Sequence, residues 1–408
     1  MTEALVKVAF AIGGLMTAAA YLVLLERRMA AWFQDRIGPN RVGIPLTRIR
    51  LWGLGQPLAD GGKFILKEEY TPAHVDRTMY VLAPISILTA ALAVFAVIPF
   101  GGALPSLDVG GLGWEHPVPL VVAPGADIGL VYVFALNSIA VYGVILGGWA
   151  SNNKYSLLGG LRSSAQLIAY ELPLGLAILG VVLASGSLNL DAIILSQAST
   201  GTWLAFSQPL GFVIFVVAAF AEAARLPFDL PECEQELIGG YHTEYSGIKL
   251  LLFLVAEFLH MITAAFLIVI LFLGGWHLWG LTGATAETNW LTALLRTAVL
   301  LGKTLLVILF FMWVRWSWPR FRFDQLMAFA WKLLLPLGLA HFLVIAVLDQ
   351  IRTYVLAPRL GETLSAWLLV IPGVGVCIAA WIVVGLTGPR DSTRPRRPGS
   401  AARGVSTA

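Results

Sequence analysis

The sequence predicts an all-α protein that crosses a membrane several times as a bundle of helices. Of its 408 residues, 58% are hydrophobic and 12% are charged, whereas soluble domains have about 45–50% and about 25%. Apolar runs of about 20 residues recur along the chain, which is the length a helix needs to cross a hydrocarbon core of about 30 Å. The runs are continuous and do not alternate with period two, so they indicate helices and not barrel strands.

Nine such runs predict nine spanning helices. They cover residues 5–25, 80–100, 128–150, 165–184, 206–224, 248–273, 291–314, 328–348 and 365–386. The first is expected to be a retained helix and not a signal peptide, because Glu26, Arg27 and Arg28 follow it and only Lys7 precedes it.

The first connection between helices predicts an amphipathic helix at the membrane interface. Leu54, Leu58 and Ile65 recur at helical spacing, opposite Asp60 and Lys67. A solvated amphipathic connector with ordinary charge pairs is the alternative.

Positive charge is concentrated in alternate connections, which predicts the orientation. All of the 27 Lys and Arg residues except Lys7, Arg296, Lys303, Arg352 and Arg359 fall on one side of the predicted bundle. Because short positive loops stay in the cytoplasm, we expect the N-terminus outside and the C-terminus inside. The net charge of +3 follows from this bias and does not indicate binding to nucleic acid.

The cysteines do not predict a metal centre. Cys233 and Cys377 form no CxxC pattern, so we expect no iron–sulfur cluster or zinc ion bound by this chain. The stretch after Gly388 is rich in Arg, Pro, Ser and Gly, which predicts a disordered tail or one that rests on anionic lipid.

The second inner connection carries polar groups into the fourth helix. Arg162, Gln166 and Tyr170 share one helix face, and Glu171 follows just before Pro173. An ionisable residue at the membrane boundary usually faces a partner or a water-filled cavity. An ion pair with Arg162, or a glutamate anchored at the interface, is the alternative.

The third connection is acidic and lies between the fifth and sixth helices. Its carboxylates are Glu222, Asp229, Glu232, Glu234 and Glu236. Closely spaced, buried carboxylates would repel one another when ionised, so some would keep protons, as a proton relay requires. A solvated acidic loop is the alternative. Glu257 and His260, one turn apart inside the next run, favour a functional site.

The seventh helix adds two cations and an aromatic belt. Arg296 and Lys303 lie on nearly the same face, and Lys303 is deep enough to need a carboxylate or cavity water. Trp313, Trp316 and Trp318 are typical of an interface anchor.

Five ordered stretches over residues 26–336 closely resemble the H-type subunit of NADH-quinone oxidoreductase, the membrane-arm, quinone-chamber subunit of respiratory complex I that meets the peripheral arm. They read RIGPNRVG, QPLADGGKFILKEE, SNNKYSLLGGLRSSAQLIAYELP, AARLPFDLPECEQELIGGYHTEYSG and WPRFRFDQLMAFAWKLLLP. The resemblance implies a narrow quinone tunnel entered from the bilayer. It also implies a glutamate-lined path that passes the redox event to antiporter-like subunits.

The resemblance assigns roles residue by residue. The tunnel and loop candidates are Arg36, Asp60, Phe64, Lys67, Arg225 and Phe228. The proton-path candidates that it assigns are Glu171, Glu222, Glu232, Glu234, Glu236 and Glu257. The residue pattern described above adds Asp229 to this path, and His260, Lys303 and Arg296 as candidate partners inside the membrane.

The resemblance also implies the setting of the chain. Quinone is the expected substrate, and FMN and iron–sulfur clusters are expected in partner subunits. The expected partners are the peripheral-arm quinone-site subunits, the antiporter-like and small membrane-arm subunits, and the lipid of a bacterial plasma membrane. The family core would be complete with the eight helices of residues 1–350. Residues 351–387 would form an additional helix and 388–408 a basic, disordered cytoplasmic tail, and the resemblance implies nothing about either.

Three other functions compete with this interpretation. The nearest is the equivalent membrane subunit of an energy-converting hydrogenase. A stand-alone ion transporter predicts internal repeats with broken helices, which the sequence does not show. A structural scaffold leaves the intramembrane Glu257 and Lys303 without a purpose.

Overall fold

The computed structural model describes residues 2–43, 52–106, 117–229, 240–279, 281–282 and 289–387. Within these residues, eight helical spans are long and apolar enough to cross a membrane. They are Glu3–Phe33, Arg77–Ala96, Gly129–Ala150, Lys154–Ser185, Gly247–Phe272, Trp290–Ser317, Phe323–Leu360 and Glu362–Gly385. The predicted all-α, multi-pass fold is confirmed.

The fifth predicted run is shorter than expected, which corrects the count of nine long helices. Its continuous helix is Pro209–Glu222, with 14 residues, and at 1.5 Å per residue it is about 21 Å long. Pro209 lacks the N–H that a helix interior needs, and the backbone of Gln208 is not helical. The one-turn helix Leu204–Ser207 therefore stays separate.

The helices are labelled in chain order. They are α1 Thr2–Phe33, α2 Gln56–Leu66, α3 Arg77–Ala93, α4 Gly129–Ala150, α5 Lys154–Ser185, α6 Leu190–Thr200, α7 Leu204–Ser207, α8 Pro209–Glu222, α9 Gly247–Phe272, α10 Trp290–Ser317, α11 Phe323–Phe329, α12 Leu335–Ile351, α13 Ala357–Leu360, α14 Glu362–Leu368 and α15 Val370–Thr387. A 3₁₀ turn, Val94–Ala96, extends α3. The π-helical segments Ala330–Leu334 and Arg352–Leu356 join α11, α12 and α13. The antiparallel strands β1 (Ala103–Leu104) and β2 (Val118–Pro119) pair outside the bundle.

The centre of the bundle is α9. In its most apolar window, 78% of the residues are buried, and every residue from 261 to 272 is buried. A helix that is apolar all round is a core helix. The helices α1, α3, α8 and α10 pack around it, so groups on α9 can meet groups from most of the chain.

The polar connections after α1, α4 and α8 meet at one end of the bundle, called here the inner end. Asn153 caps α5 and also donates to Glu244 at 2.5 Å. Tyr80 stacks on Tyr245 with ring centroids 4.0 Å apart. Burial raises the pKa of the Tyr245 hydroxyl, which donates to the Tyr80 carbonyl at 3.1 Å. The connections predicted to share one side of the membrane thus contact one another.

The span Glu362–Gly385, which coincides with the ninth predicted run, lies at the edge of the bundle. In its most apolar window, 6% of the residues are buried. Its helix α15 packs on α7 and α8. A Cβ on Gly373 would overlap the carbonyl oxygen of Ser207, so this close approach requires glycine.

Candidate functional site

A buried ionic cluster joins α1, the loop after α8, α9 and α10 at the inner end. Arg225 Nη1 lies 3.2 Å from Glu26 Oε2, and Arg225 Nε lies 3.1 Å from Glu257 Oε1. Glu26 also pairs with the guanidinium of Arg315. Arg225 and Glu26 are 3% and 8% exposed. Two arginines therefore balance two glutamates in a place where an unpaired charge would be costly.

Local backbone geometry brings Arg225 into this cluster. Helix α8 ends at Glu222, and Ala224, with φ of +52°, turns the chain away from the helix axis. The Phe228 N–H then donates to the Arg225 carbonyl at 2.9 Å and closes a turn. The guanidinium carbon lies 4.3 Å from the centre of the Phe258 ring, a cation–π contact. A planar guanidinium can bridge two carboxylates in this way, whereas an ammonium group is a single point charge.

A cavity of about 70 Å³ lies between α4, α5, α8 and α9, and Glu257 is one of its lining residues. Its carboxylate and imidazole lining groups are those of Glu171, Glu222, Glu257 and His260. The structure therefore brings together four of the residues that the sequence predicted from two connections and one apolar run. Because Glu257 belongs to both features, the cavity and the ionic cluster are directly connected.

Two neighbouring polar residues of α4 hold the glutamates of this cavity. Asn137 Nδ2 donates to Glu222 Oε1 at 2.6 Å, and the Ser138 hydroxyl donates to Glu171. The alternative ion pair between Glu171 and Arg162 does not form, because residues nine apart on α5 lie on opposite faces and about 14 Å apart along the axis. Glu171 and Glu222 thus face α4 with neutral partners.

The loop after α8 is fixed by backbone hydrogen bonds and aromatic packing. Gln166 Nε2 donates to the Phe228 carbonyl at 2.7 Å, and the Phe228 and Tyr170 ring centroids are 5.4 Å apart. The Asp229 carbonyl accepts a hydrogen bond from Arg320. Gln166 and Tyr170, predicted on one helix face, thus act as the support of the loop that carries Arg225.

A larger, mostly apolar cleft of about 700 Å³ runs along α1 between α9 and α10. Its lining extends from Lys7 to Arg28, which is about 32 Å of helix. Leu54, ahead of α2, lines it as well. Leu25 and Arg28, both in the lining, flank Glu26 in the sequence. The cleft therefore reaches the level of the ionic cluster.

The predicted residues of the first connection lie elsewhere. Asp60 accepts from Arg27 Nη1 at 2.6 Å. Arg36 and Lys67 are exposed, and Phe64 is half-buried. Among the described residues, the linings of the cleft and of the glutamate cavity do not include these side chains.

The candidate cations Arg296 and Lys303 lie at the opposite, outer end, away from the glutamates. Lys303 Nζ donates to three backbone carbonyls, those of Leu273 at 2.7 Å, Gly275 at 3.0 Å and His277 at 2.6 Å. These carbonyls take the place of the carboxylate or cavity water that the sequence predicted. Arg296 Nε donates to the Thr282 carbonyl at 3.0 Å. Burial, with the charges of Lys303 and Arg296, lowers the pKa of the His277 imidazole.

Some of the site residues were predicted, some were missed, and three lie outside the described residues, namely Glu232, Glu234 and Glu236. Sequence reasoning did not predict roles for Glu26, Arg315, Asn137 and Ser138 in the site. Asn137 and Ser138 could have been found as an adjacent polar pair inside an apolar run. Glu26 and Arg315 had no such signal, because each sits among other charges at a helix end.

The eight spans define a polytopic membrane protein. Its bundle contains a buried ionic cluster and a glutamate-lined cavity, and ionisable groups inside a membrane bundle are typical of proton or ion pathways. A family model described as NADH dehydrogenase matches residues 6–346. The chain therefore belongs to the NADH dehydrogenase family.

Its curated relatives agree with the resemblance seen in the sequence. NADH-quinone oxidoreductase subunit 8 of Thermus thermophilus is 48% identical over 353 residues, which is 86% of this chain and 88% of the relative. The H-type subunit of the same enzyme from Syntrophotalea carbinolica is 48% identical over 84% of this chain and 94% of its own length. The subunit 8 of Rhodothermus marinus is 44% identical over 82% and 94%.

Proposed function

We propose that this chain is the membrane subunit of a proton-pumping NADH-quinone oxidoreductase that gives quinone access to the enzyme and links its reduction to proton movement. The observation that carries the proposal is the arrangement of the cleft, the ionic cluster and the cavity. The apolar cleft extends to Leu25 and Arg28, which flank Glu26 in the sequence, Arg225 bridges Glu26 to Glu257, and Glu257 lines the glutamate cavity. Electrons would come from the flavin and iron–sulfur clusters of partner subunits.

The cleft suits an isoprenoid tail, because it is long and mostly apolar and is bordered by α1 and α10, whose most apolar windows are mostly unburied. The expected N-terminus outside and C-terminus in the cytoplasm would place the ionic cluster on the cytoplasmic side. There the peripheral-arm subunits of a bacterial plasma-membrane complex would complete the quinone site. Lipid and the antiporter-like and small subunits would cover the rest of the bundle.

The ionic cluster can couple the charge of Glu26 to the charge of Glu257. The guanidinium of Arg225 is shared between Glu26 and Glu257, so a change of charge near one carboxylate alters the stabilisation of the other. Glu257 can then pass this change to Glu171 and Glu222, which face the same cavity. Asn137 and Ser138 donate to these glutamates whether they are ionised or protonated.

Replacing Glu222 with Gln in the assembled complex tests the proton path. We expect NADH-driven quinone reduction and proton translocation into vesicles both to fall at least 10-fold with normal assembly, because Gln keeps the hydrogen bond from Asn137 but cannot carry a proton. Glu69→Gln is the matched control, since Glu69 pairs with Lys249 at an exposed site. Wild-type rates in E222Q would show that the cavity is structural.

Filling the cleft tests quinone access separately. Ala18 lines the cleft, whereas Met16 lies on another face of α1 and is 36% exposed. We expect Ala18→Phe to raise the KM for a long-tail quinone several-fold and to affect a short-tail quinone less. Met16→Phe should change neither. An unchanged KM for A18F would show that quinone enters elsewhere.

The equivalent subunit of an energy-converting hydrogenase remains the second candidate, because it would share the helix plan and the acidic loop. Purification of the tagged chain from its membrane distinguishes the two. Partners that oxidise NADH support the quinone enzyme, and a hydrogen-evolving partner supports the alternative.

A further inference from the structure

A second polar cavity, of about 210 Å³, lies at the outer end of the bundle, between α5, α6, α7, α12 and α14. Its polar and charged lining residues include Ser185, Ser207, Gln208, Asp349, Arg352 and Glu362. A polar space of this size inside a membrane protein is a place for water, because a buried lining atom without a protein partner in the described part of the chain, such as Gln208 Oε1, would otherwise have no hydrogen bond.

Helix α12 leads from this cavity to a buried histidine. Ile345, Leu348 and Arg352 line the cavity, and His341 precedes them on the same helix face at spacings of four, seven and eleven residues. His341 is 1% exposed, and its Nε2 has no hydrogen-bond partner within the described residues. The imidazole thus lies about one turn, or 6 Å, beyond the inner wall of the cavity.

Gln208 provides the connection between the cavity and His341. Its Nε2 donates to the Gly180 carbonyl at 3.1 Å, while its Oε1, like His341 Nε2, has no partner among the residues described. A Cβ on Gly180 would be 3.0 Å from each of these two atoms, so they are at most twice that distance apart. One water molecule can bridge such a gap.

The space around His341 depends on a glycine. A Cβ on Gly211 would overlap His341 Nε2. Any larger residue there would push the imidazole out of its position between α5 and α8.

We propose that the outer cavity is a water-filled inlet that carries protons between the outer face and His341, with Gln208 Oε1 holding the water molecule that joins the cavity to the imidazole. A neutral imidazole can accept a proton at one nitrogen and release one from the other. The inlet is separate from the glutamate cavity, since Gly180 and Glu171 are about 14 Å apart along α5 and the residues between them include the buried, apolar Leu174 and Ile178. Only its use in pumping rests on the proposed function.

Cysteine labelling in sealed vesicles tests whether water reaches the inlet. We expect a charged, membrane-impermeant thiosulfonate added at the outer face to modify Ser207→Cys and Ile345→Cys at least 10-fold faster than Leu343→Cys. Leu343 lies on the same helix but is 64% exposed on the bundle surface, where lipid would cover it. Lys154→Cys, at the exposed inner end, reports the opposite side, and peptide mass spectrometry separates these sites from the native cysteines.

Two labelling results would overturn the proposal. One is modification of Ser207→Cys and Ile345→Cys no faster than that of Leu343→Cys. The other is modification only when the reagent reaches the side that Lys154→Cys reports.

Replacement of His341 tests its role in proton transfer, in variants whose assembly into the complex is measured in parallel. We expect His341→Leu to lower proton translocation at least threefold, and His341→Gln, which keeps a polar group, to lower it less. Equal translocation by H341L and wild type would overturn the proton role. Rapid labelling of the inlet, together with loss of activity in Glu222→Gln, would support both the inlet and the proposed glutamate path. Rapid labelling with a fully active E222Q would support the inlet and remove the proposed glutamate path.

Discussion

Cations lie inside both ends of this bundle, and the two ends hold them differently. At the inner end, Arg225 is bridged between the carboxylates of Glu26 and Glu257. At the outer end, Lys303 is held by three backbone carbonyls just beyond α9. The sequence singled out Lys303 for its depth in an apolar run, whereas Arg225, in a connection between helices, was a candidate by resemblance.

The partners decide what each cation can do. A carbonyl does not titrate, so the contacts of Lys303 do not depend on the protonation of its partners. They fix the turn that follows α9, because the ammonium group joins the carbonyls of Leu273, Gly275 and His277. A carboxylate can gain or lose a proton, and its tendency to do so depends on the nearby guanidinium. A change of charge near the inner end can therefore alter the protonation of its carboxylates, whereas the contact of Lys303 with carbonyls offers no such response.

The largest expected effect follows from removing Arg225, which bridges Glu26 and Glu257 at the inner end. Arg225→Ala removes the guanidinium that lies 3.1 Å from Glu257 and leaves Glu26 paired with Arg315. Removing one partner of a buried ion pair costs about 3–5 kcal/mol. We expect quinone reduction to fall more than 10-fold, together with a reduced amount of assembled complex in the membrane.

The conservative variant separates charge from geometry. Arg225→Lys keeps the charge but cannot bridge two carboxylates with a planar fork. We expect it to assemble better than R225A and to remain impaired in quinone reduction. Full activity in R225K would show that the bridge itself is unnecessary.

The second prediction concerns the outer end. Lys303→Met leaves buried carbonyls without their donor, and each unsatisfied group costs about 1–3 kcal/mol. We expect the temperature at which heated, detergent-solubilised complex loses this chain to fall by several degrees. The number of protons translocated per NADH should stay at the wild-type value in the complex that remains folded. A changed ratio would place Lys303 in the proton path and remove the contrast between the two ends.

The spanning helices could be predicted from the sequence because burial in lipid demands long apolar runs, whatever the tertiary contacts. The fifth predicted run is the exception, because it does not form one long helix. Residues 206–224 are predominantly apolar, but Gln208 and Pro209 separate α7 from α8, because the missing N–H of proline affects the backbone and not the hydropathy. Helix number thus follows from composition, and helix length depends on local backbone chemistry.

The site could be predicted where a charge interrupts an apolar run and not where it lies at a helix end. Glu257 and His260 stand out inside α9 and do line the cavity. Glu26 and Arg315 come together only because α1 and α10 both pack on α9, which one sequence does not encode locally. The same limit explains why Lys303 was expected to need a carboxylate: no local pattern shows that α9 ends beside it.

The smallest expected effect is a pH dependence of the outer end. The ordinary pKa of 6.5 for histidine is lowered at His277 by burial and by the charges of Lys303 and Arg296. The unfolded chain therefore binds this proton more readily than the folded chain, so the contribution of neutral His277 is present above pH 6.5 and is lost as the pH falls below it. We expect the thermal midpoint of wild type to decrease more between pH 7 and pH 5 than the midpoint of His277→Gln. The difference between these two decreases should be smaller than the loss of thermal midpoint caused by Lys303→Met. Parallel curves would show that His277 does not titrate with folding, and a steeper curve for H277Q would reverse the sign of its coupling to the two cations.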